Sequence, residues 1–441
     1  MTQNKNNQGN MVAIVTMFFL FAMVGFVTNL AAPIGGVWKK DPLIGNSNFL
    51  GMLGNMMNFL AYLFFGIRAG KILTNKGYKA TALIAIAVGF FGILTQFLSG
   101  SIGLGSEIAG LPVNFFVYLL GAFVSGISVC MLNTVVNPML NLLGGSGNKG
   151  NQLVQTGGAL NSLAATLSPM IVGALIGSSV TSIHAVYPVL YIAMGIFAAA
   201  FIALSFIPIN EPESNKGVDT NTFEHSPWNF RHFVLGAIAI GMYVGIEIGI
   251  PGTLNFYLSD ITGKGAGLDA ATAAAVAGSV AGTYWFLMLI GRFIGSAIGG
   301  KVSSKTMLTV ASIVGVVLIT TAIFIPRTVE VLMPVFKGAG FGMVSVPMSA
   351  LLLVLCGLCT SIMWGGIFNL AVEGLGKYTA MGSGIFMMMV VGGGIFPLFQ
   401  NWVADVAGYM TSYWVIVALL LFLVYYALVG CKNVNKDIPV D

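Results

Sequence analysis

The sequence predicts an all-α membrane protein, twelve transmembrane helices gathered into two six-helix bundles. Composition is the first reason: 57% of the 441 residues are hydrophobic and 7% are charged, too few charges to coat a soluble globule of this size. The second is a set of twelve apolar runs, each able to cross about 30 Å of hydrocarbon as a helix. The third is the longest polar stretch of the chain, Asn210 to His232, which parts those runs six and six.

In order, the first six runs are roughly 11 to 35, 48 to 73, 79 to 99, 113 to 143, 152 to 177 and 185 to 208. The second six are roughly 232 to 258, 270 to 299, 305 to 325, 347 to 372, 379 to 404 and 411 to 430. The opening run follows ten polar residues and is too long for a signal-peptide core, so it reads as a first span. This gives an N-terminal bundle over 1–209, a linker over 210–231 and a C-terminal bundle over 232–441. Between 326 and 347 three readings stay open: an outer loop, a re-entrant segment or part of span ten.

Of the nineteen Lys and Arg, only Lys39, Lys40, Lys264, Arg327 and Lys337 fall on the side away from the amino terminus. The other fourteen, Arg292 among them, share the side of the termini, which therefore reads as cytoplasmic at both ends. The net charge of +5 is thus a matter of topology and not of a nucleic-acid surface. Cys130, Cys356, Cys359 and Cys431 lie in or beside apolar runs without a His cluster, so neither a disulfide framework nor a zinc site is indicated. No cofactor is implied, and no nucleophile, metal cluster or acid pair stands at catalytic spacing.

Polar side chains inside the spans carry the functional signal. Asn133 and Asn137 are four apart on one helix face, and Pro138 leaves the Thr134 carbonyl without its usual donor. Gln155 and Asn161 flank a face containing Gly158, and span two adds Gly51, Asn55, Asn58 and Tyr62. In hydrocarbon such amides would be expensive, so they face protein or a wet cavity. Donors and acceptors without charge suit a neutral polyhydroxylated ligand better than an ion, although polar residues also simply hold membrane helices together. Trp364 and Asn369 in span ten, and Tyr284 with Trp285 in span eight, offer an aromatic face and a polar edge to a ring.

The halves echo one another. Asn29 precedes Pro33 by four residues and Glu247 precedes Pro251 by four, so each proline strips the partner from the polar residue's own carbonyl. Gly66-Ile-Arg68-Ala-Gly70 and Gly291-Arg292-Phe-Ile-Gly295 end the second span of each half. Of the fourteen acids only Glu247 lies well inside a span, with no Lys or Arg expected at its depth. That makes it the candidate proton carrier; a structural carboxylate or a sodium ligand are the other readings.

The run LNTVVNPM followed by ALNS, the LIGRFIGS of Leu289 to Ser296, the SIMWGGIFNLAVEGLGKYT of Ser361 to Thr379, and the GSGIF and VGGGIFPL beyond them resemble the fucose permease group of the major facilitator superfamily. That group includes fucose:proton symporters and glucose/galactose transporters. The likeness spans nearly the whole chain and implies twelve helices, alternating access and a sugar site at the midplane, in a bacterial inner membrane.

It also implies roles. Asn161 matches a sugar-contacting asparagine. Asn29 matches an aspartate and Asn133 a proton-coupling glutamate, both amides here, and Gly158 stands where fucose permeases have a glutamine. The expectation is therefore an importer of a neutral hexose other than fucose, with Asn29, Asn133, Gln155, Asn161, Trp364 and Asn369 on the sugar and protonation shifted to Glu247. Sodium coupling or uniport are the alternatives for the driving ion, an exporter of amphipathic compounds is the alternative function, and a monomer in the bilayer is expected.

Overall fold

The computed structural model describes residues 2–144, 149–176, 182–207, 225–299, 301–435 and 437–439. The segment 145–148 and most of the linker, within 208–224, lie outside them. The chain runs α1 (Thr2–Thr28), α2 (Ala31–Trp38), α3 (Asn48–Leu98), β1 (Glu107–Ile108), β2 (Leu111–Pro112), α4 (Val113–Leu143), α5 (Lys149–Ile176) and α6 (Tyr187–Phe206). It continues with α7 (Arg231–Ser259), α8 (Ala273–Ile298), α9 (Ser304–Phe324), β3 (Glu330–Phe336), β4 (Phe341–Pro347), α10 (Met348–Thr360), α11 (Met363–Val372), α12 (Thr379–Met389), α13 (Gly392–Ala407) and α14 (Tyr409–Tyr425).

Among the described residues, eleven continuous or nearly continuous helices are long and apolar enough to span a bilayer. One of them, α3, has 51 residues and would stretch about 75 Å if straight, twice what a membrane needs. It folds back at Gly77, whose φ of 81° and ψ of 177° are not helical. Only glycine takes that conformation without strain, so a single residue replaces a loop and twelve crossings result.

Three crossings are broken where the sequence suggested single rods. The first splits at Asn29–Leu30 into α1 and α2, the tenth near Ser361 into α10 and α11, and the eleventh at Val390–Val391 into α12 and α13. The segment 326–347 is resolved as the antiparallel pair β3–β4, in register from Glu330 opposite Pro347 to Phe336 opposite Phe341. Leu332, Phe341 and Met343 stand out from it while Met333 and Val335 are buried, and the Phe336 amide donates to the Ser279 hydroxyl at 2.9 Å. With the short β1–β2 pair it interrupts an otherwise helical protein on the face away from the start of α1, called here the far face.

Within the first six crossings α4 lies along both arms of α3, and Trp38 closes the far end over Phe115 and Tyr118, with ring centroids 5.1 and 5.4 Å away. Within the last six, α7 is sheathed by α8, α11, α13 and α14, and most of its residues are buried. The two halves of the chain meet where α5 runs along α8, where α3 faces α12 and α13, and where α2 touches α7. At the α5–α8 seam a Cβ on Gly278 would sit 2.2 Å from the Pro169 carbonyl oxygen. Gly278→Val is therefore expected to lower the melting temperature in detergent, by the equivalent of about 1–3 kcal/mol of overpacking. Gly195→Val, at a position with open space around it, should leave the melting temperature unchanged.

Candidate functional site

The break at Asn29–Leu30 places Asn29 beside a small cavity between the halves of the chain. From the first half Thr28, Asn29, Pro33, Asn55 and Pro169 line it; from the second come Ile248, Pro251, Gly252, Asn255 and Trp285. Both prolines of the repeated polar-x-x-x-Pro pattern are thus at the same hole. Its volume is about 30 Å³, room for a water or two. A larger ligand enters only when the halves part.

Asn29 and Asn55 at its wall, and Asn161 elsewhere on α5, are tethered by their donors. Asn29 Nδ2 donates to the Gly25 carbonyl at 2.9 Å, Asn161 Nδ2 to the Phe21 carbonyl at 3.0 Å, and Asn55 Nδ2 crosses the junction to the Gly393 carbonyl at 2.8 Å. Each keeps its amide oxygen as the group still able to accept a hydroxyl proton. Asn133 forms a second cluster nearer the N-terminal face: its Nδ2 donates to the Tyr62 hydroxyl at 2.7 Å, and Asn137 Nδ2 donates to the Asn133 carbonyl at 3.1 Å.

Glu247 is not alone. Arg292, which the spacing put at the end of span eight on the side of the termini, lies in α8, and its Nη2 is 3.8 Å from Glu247 Oε1. Both side chains are largely shielded, at 18% and 13% exposure. The expectation of an unpartnered carboxylate is corrected by that ion pair. Arg292 Nη1 also donates to the Gly158 carbonyl, the position where the resemblance implies a glutamine. One guanidinium therefore touches α5 of the first half and α7 of the second. Tyr243, one turn before Glu247, donates its hydroxyl to the carboxylate, and Trp364 meets the Tyr243 ring edge-on with centroids 6.1 Å apart. Tyr284 completes the shell, its hydroxyl 2.8 Å from Thr360 Oγ1.

Two expected ligands fall elsewhere. Asn369 is exposed near the end of α11, its Nδ2 3.5 Å from Ser304 Oγ on α9, so it belongs to a helix contact and not to the cavity. Gln155 is exposed on α5, a turn from Gly158 toward the N-terminal face. Cys356 and Cys359 are buried and unbridged in α10.

No family model matches the chain. Curated relatives match it nearly end to end. A glucose/galactose transporter of Brucella abortus is 29% identical over 441 residues, covering 98% of this chain and 97% of its own. A putative glucose/galactose transporter of Helicobacter pylori is 26% identical, covering 96% and 98%. The L-fucose-proton symporter of Escherichia coli is 22% identical, covering 93% and 90%. Among solved structures, the major facilitator superfamily transporter FucP in its outward conformation superposes with a TM-score of 0.64 at 18% identity, over 95% of this chain and 98% of that one. The inward-open xylose transporter XylE of E. coli gives 0.69 at 11% identity, over 97% of each.

The chain has the major facilitator fold. Its relatives in sequence are transporters and not enzymes.

Asn55 and Asn255 stand at the cavity and Tyr243 and Arg292 at Glu247, positions for which the sequence reading assigned them no role. Asn55 stood in a recognised polar stripe, and the four-residue spacing of Asn255 from Pro251 was a further signal. Arg292 had none, because its reach into the bundle depends on the tilt of α8. Arg292→Met should destabilise the protein by about 3 kcal/mol, since it strands a shielded carboxylate, and Glu247→Gln in the same chain should restore much of that loss. Thermal melts of the two single variants and the double variant check the coupling.

Proposed function

We propose that the protein imports a neutral hexose by alternating access, coupled to a cation, with the proton favoured. The supporting observation is the convergence at one cavity of uncharged hydrogen-bonding groups from both halves, Asn29 and Asn55 facing Asn255 and Trp285, with the Glu247–Arg292 pair close by. Hydroxyls of a sugar ring need acceptors and donors of that kind, and an indole offers its apolar face to the ring's C–H groups. The relatives named for glucose, galactose and fucose point to the same substrate class. Asn29, Asn133 and Asn161 take the sugar's polar edge and Trp364, through Tyr243, supports the ion pair; Gln155 stands at the mouth and is reached on release.

Glu247 carries the proton. As an anion it holds the Arg292 guanidinium against the Gly158 carbonyl, which ties α8 to α5. Protonation removes the charge that fixes the guanidinium and frees that tie, so proton binding and the movement of the halves are linked. The relative named as a proton symporter supports this choice over sodium.

Residues 1–209 and 232–441 act as the two moving bundles, with 210–231 as the linker between them. The excess of Lys and Arg on the side of the termini puts both ends in the cytoplasm of a bacterial cell and the far face outside. The working unit is a monomer in the lipid bilayer.

In proteoliposomes with proton and sodium gradients imposed separately, hexose accumulation should follow the proton gradient. Glu247→Gln should reduce gradient-driven accumulation by about tenfold or more while leaving sugar exchange across the membrane in place. Accumulation by this variant at the parent level would remove Glu247 from coupling, and accumulation driven by sodium alone would replace the proton.

A further inference from the structure

At the far face a second polar cluster crosses the junction, apart from the cavity and the ion pair. Asp405, near the end of α13 in the second half, accepts three hydrogen bonds at the start of α3 in the first. Its Oδ1 takes the Asn48 amide at 2.7 Å, and its Oδ2 takes the Phe49 amide at 2.9 Å and the Ser47 hydroxyl at 2.8 Å. Helix N-termini leave such amides unpaired and carry partial positive charge, so a carboxylate there is a strong cap. Here it comes from the opposite half.

Beside it Tyr409, at the start of α14, lies 2.9 Å from both Asp260 Oδ2 and Asn48 Oδ1. Lys39 follows α2; its ammonium donates to Asn48 Oδ1 and, at 3.1 Å, to the Tyr409 oxygen. It also stands 4.6 Å from the centre of the Phe256 ring, and its stem lies on Gly51. With the ammonium already serving the Asn48 oxygen, the single Tyr409 proton goes to Asp260. Lys39 is only 4% exposed.

We infer that Asp405, with Tyr409 and Asp260, is the latch of the far-face gate, closing the path to the central cavity by capping α3 across the junction, and that Lys39 sets how readily it opens. This rests on the alternating-access reading above, with the far face outside. The geometry suits a bond made to be broken. When Asp405 leaves, α3 keeps a cap of its own, since the Ser47 hydroxyl accepts the Leu50 amide at 3.2 Å. The carboxylates have water at hand in a depression of about 390 Å³ bordered by Asn46, Asn48, Asp260, Lys264, Asp405 and Tyr409.

Lys39 works against closure. Burial pushes its ammonium down to about 8, although Asp260 and Asp405 pull the other way. The titratable groups facing it are Asp260 from the end of α7, Asp405 from α13 and Tyr409 from α14. Burial alone would raise Asp260, but its bonds to Thr262 and Tyr409 and the charge of Lys39 outweigh that and hold it below the usual carboxylate range, so it stays anionic. In the open gate Lys39 returns to water and to an ordinary lysine value. The closed gate therefore holds fewer protons between about pH 8 and 10, and opening becomes harder as pH rises through that window. Within that window a lower pH favours the open gate, and below about pH 8, where Lys39 is protonated in both states, the preference levels off.

The test uses Ala32→Cys, on the cavity wall, in a chain carrying Cys431→Ser, with an impermeant maleimide applied from outside. Rates are taken relative to Ser106→Cys on an exposed turn, which cancels the pH dependence of the thiol. Asp405→Asn should speed labelling about tenfold or more, the effect of losing one charge-assisted hydrogen bond. Tyr409→Phe should act in the same direction, and serves if Asp405→Asn does not fold. In the parent the relative rate should fall from pH 7.5 to 9.5, and Lys39→Met should flatten that slope. Parent rates in both latch variants, in monodisperse protein, would overturn the proposal. Hexose uptake by chains that keep Ala32, in separate vesicles without maleimide, distinguishes it from the substrate reading: unchanged labelling with intact uptake sinks the latch alone, whereas faster labelling without uptake of any hexose by the parent supports the latch and sinks the substrate.

Discussion

Hydrocarbon offers no hydrogen bonds, and many of the amides and hydroxyls described along the spans are placed to meet that fact. Asn29, Asn137 and Asn161 each give a proton to a backbone carbonyl, and Thr16, Thr134, Thr166 and Thr283 do the same one turn back along their own helices. What is left over, amide oxygens and carbonyls freed by Pro33 and Pro251, collects at the junction of the halves. Helix breaks obey the same constraint. The interruption of the first crossing opens onto the cavity, where unpaired backbone can find water or a ligand.

Charge follows a stricter version of this rule. Two cations penetrate the junction, Arg292 toward the N-terminal face and Lys39 toward the far face, and each touches both halves of the chain. Neither is paired by a simple bidentate bridge: Arg292 is shared between the Gly158 carbonyl and the more distant Glu247 carboxylate, and Lys39 donates to the Asn48 amide oxygen and the Tyr409 oxygen. Such pairs contribute little net stability after desolvation, but they switch cheaply between partners. Two such cross-ties on opposite sides of one cavity are what a rocking pair of bundles requires, since releasing one while holding the other opens a single side.

The spans were legible because twenty apolar residues in a row have few other fates, and the fold followed from their number and the polar divide at 210–232. Asn29 and the Pro33 and Pro251 pair were found because a polar side chain ahead of a proline marks a local backbone defect, and Trp285 because an aromatic inside a span can face a ring. Arg292 and Lys39 were not: their sequence neighbours place them at span ends, and only packing turns their long stems inward. Asn369 misled for the opposite reason, a polar residue in an apolar run that faces α9. The β3–β4 pair did carry a signal, two short runs rich in Val, Met and Phe on either side of a Gly-Ala-Gly turn, which the surrounding helix pattern masked.

That hairpin also acts as a depth gauge. A two-stranded ribbon has two bare edges whose amides and carbonyls need aqueous neighbours, so it cannot sink below the lipid headgroups. Its tip is fastened to Ser279, which lifts the first turns of α8 into the headgroup zone. The remainder, 280 to 298, is about 28 Å long, close to one hydrocarbon thickness. Trp285 then sits about 8 Å beneath that boundary, and any sugar reaching it has already left bulk solvent behind.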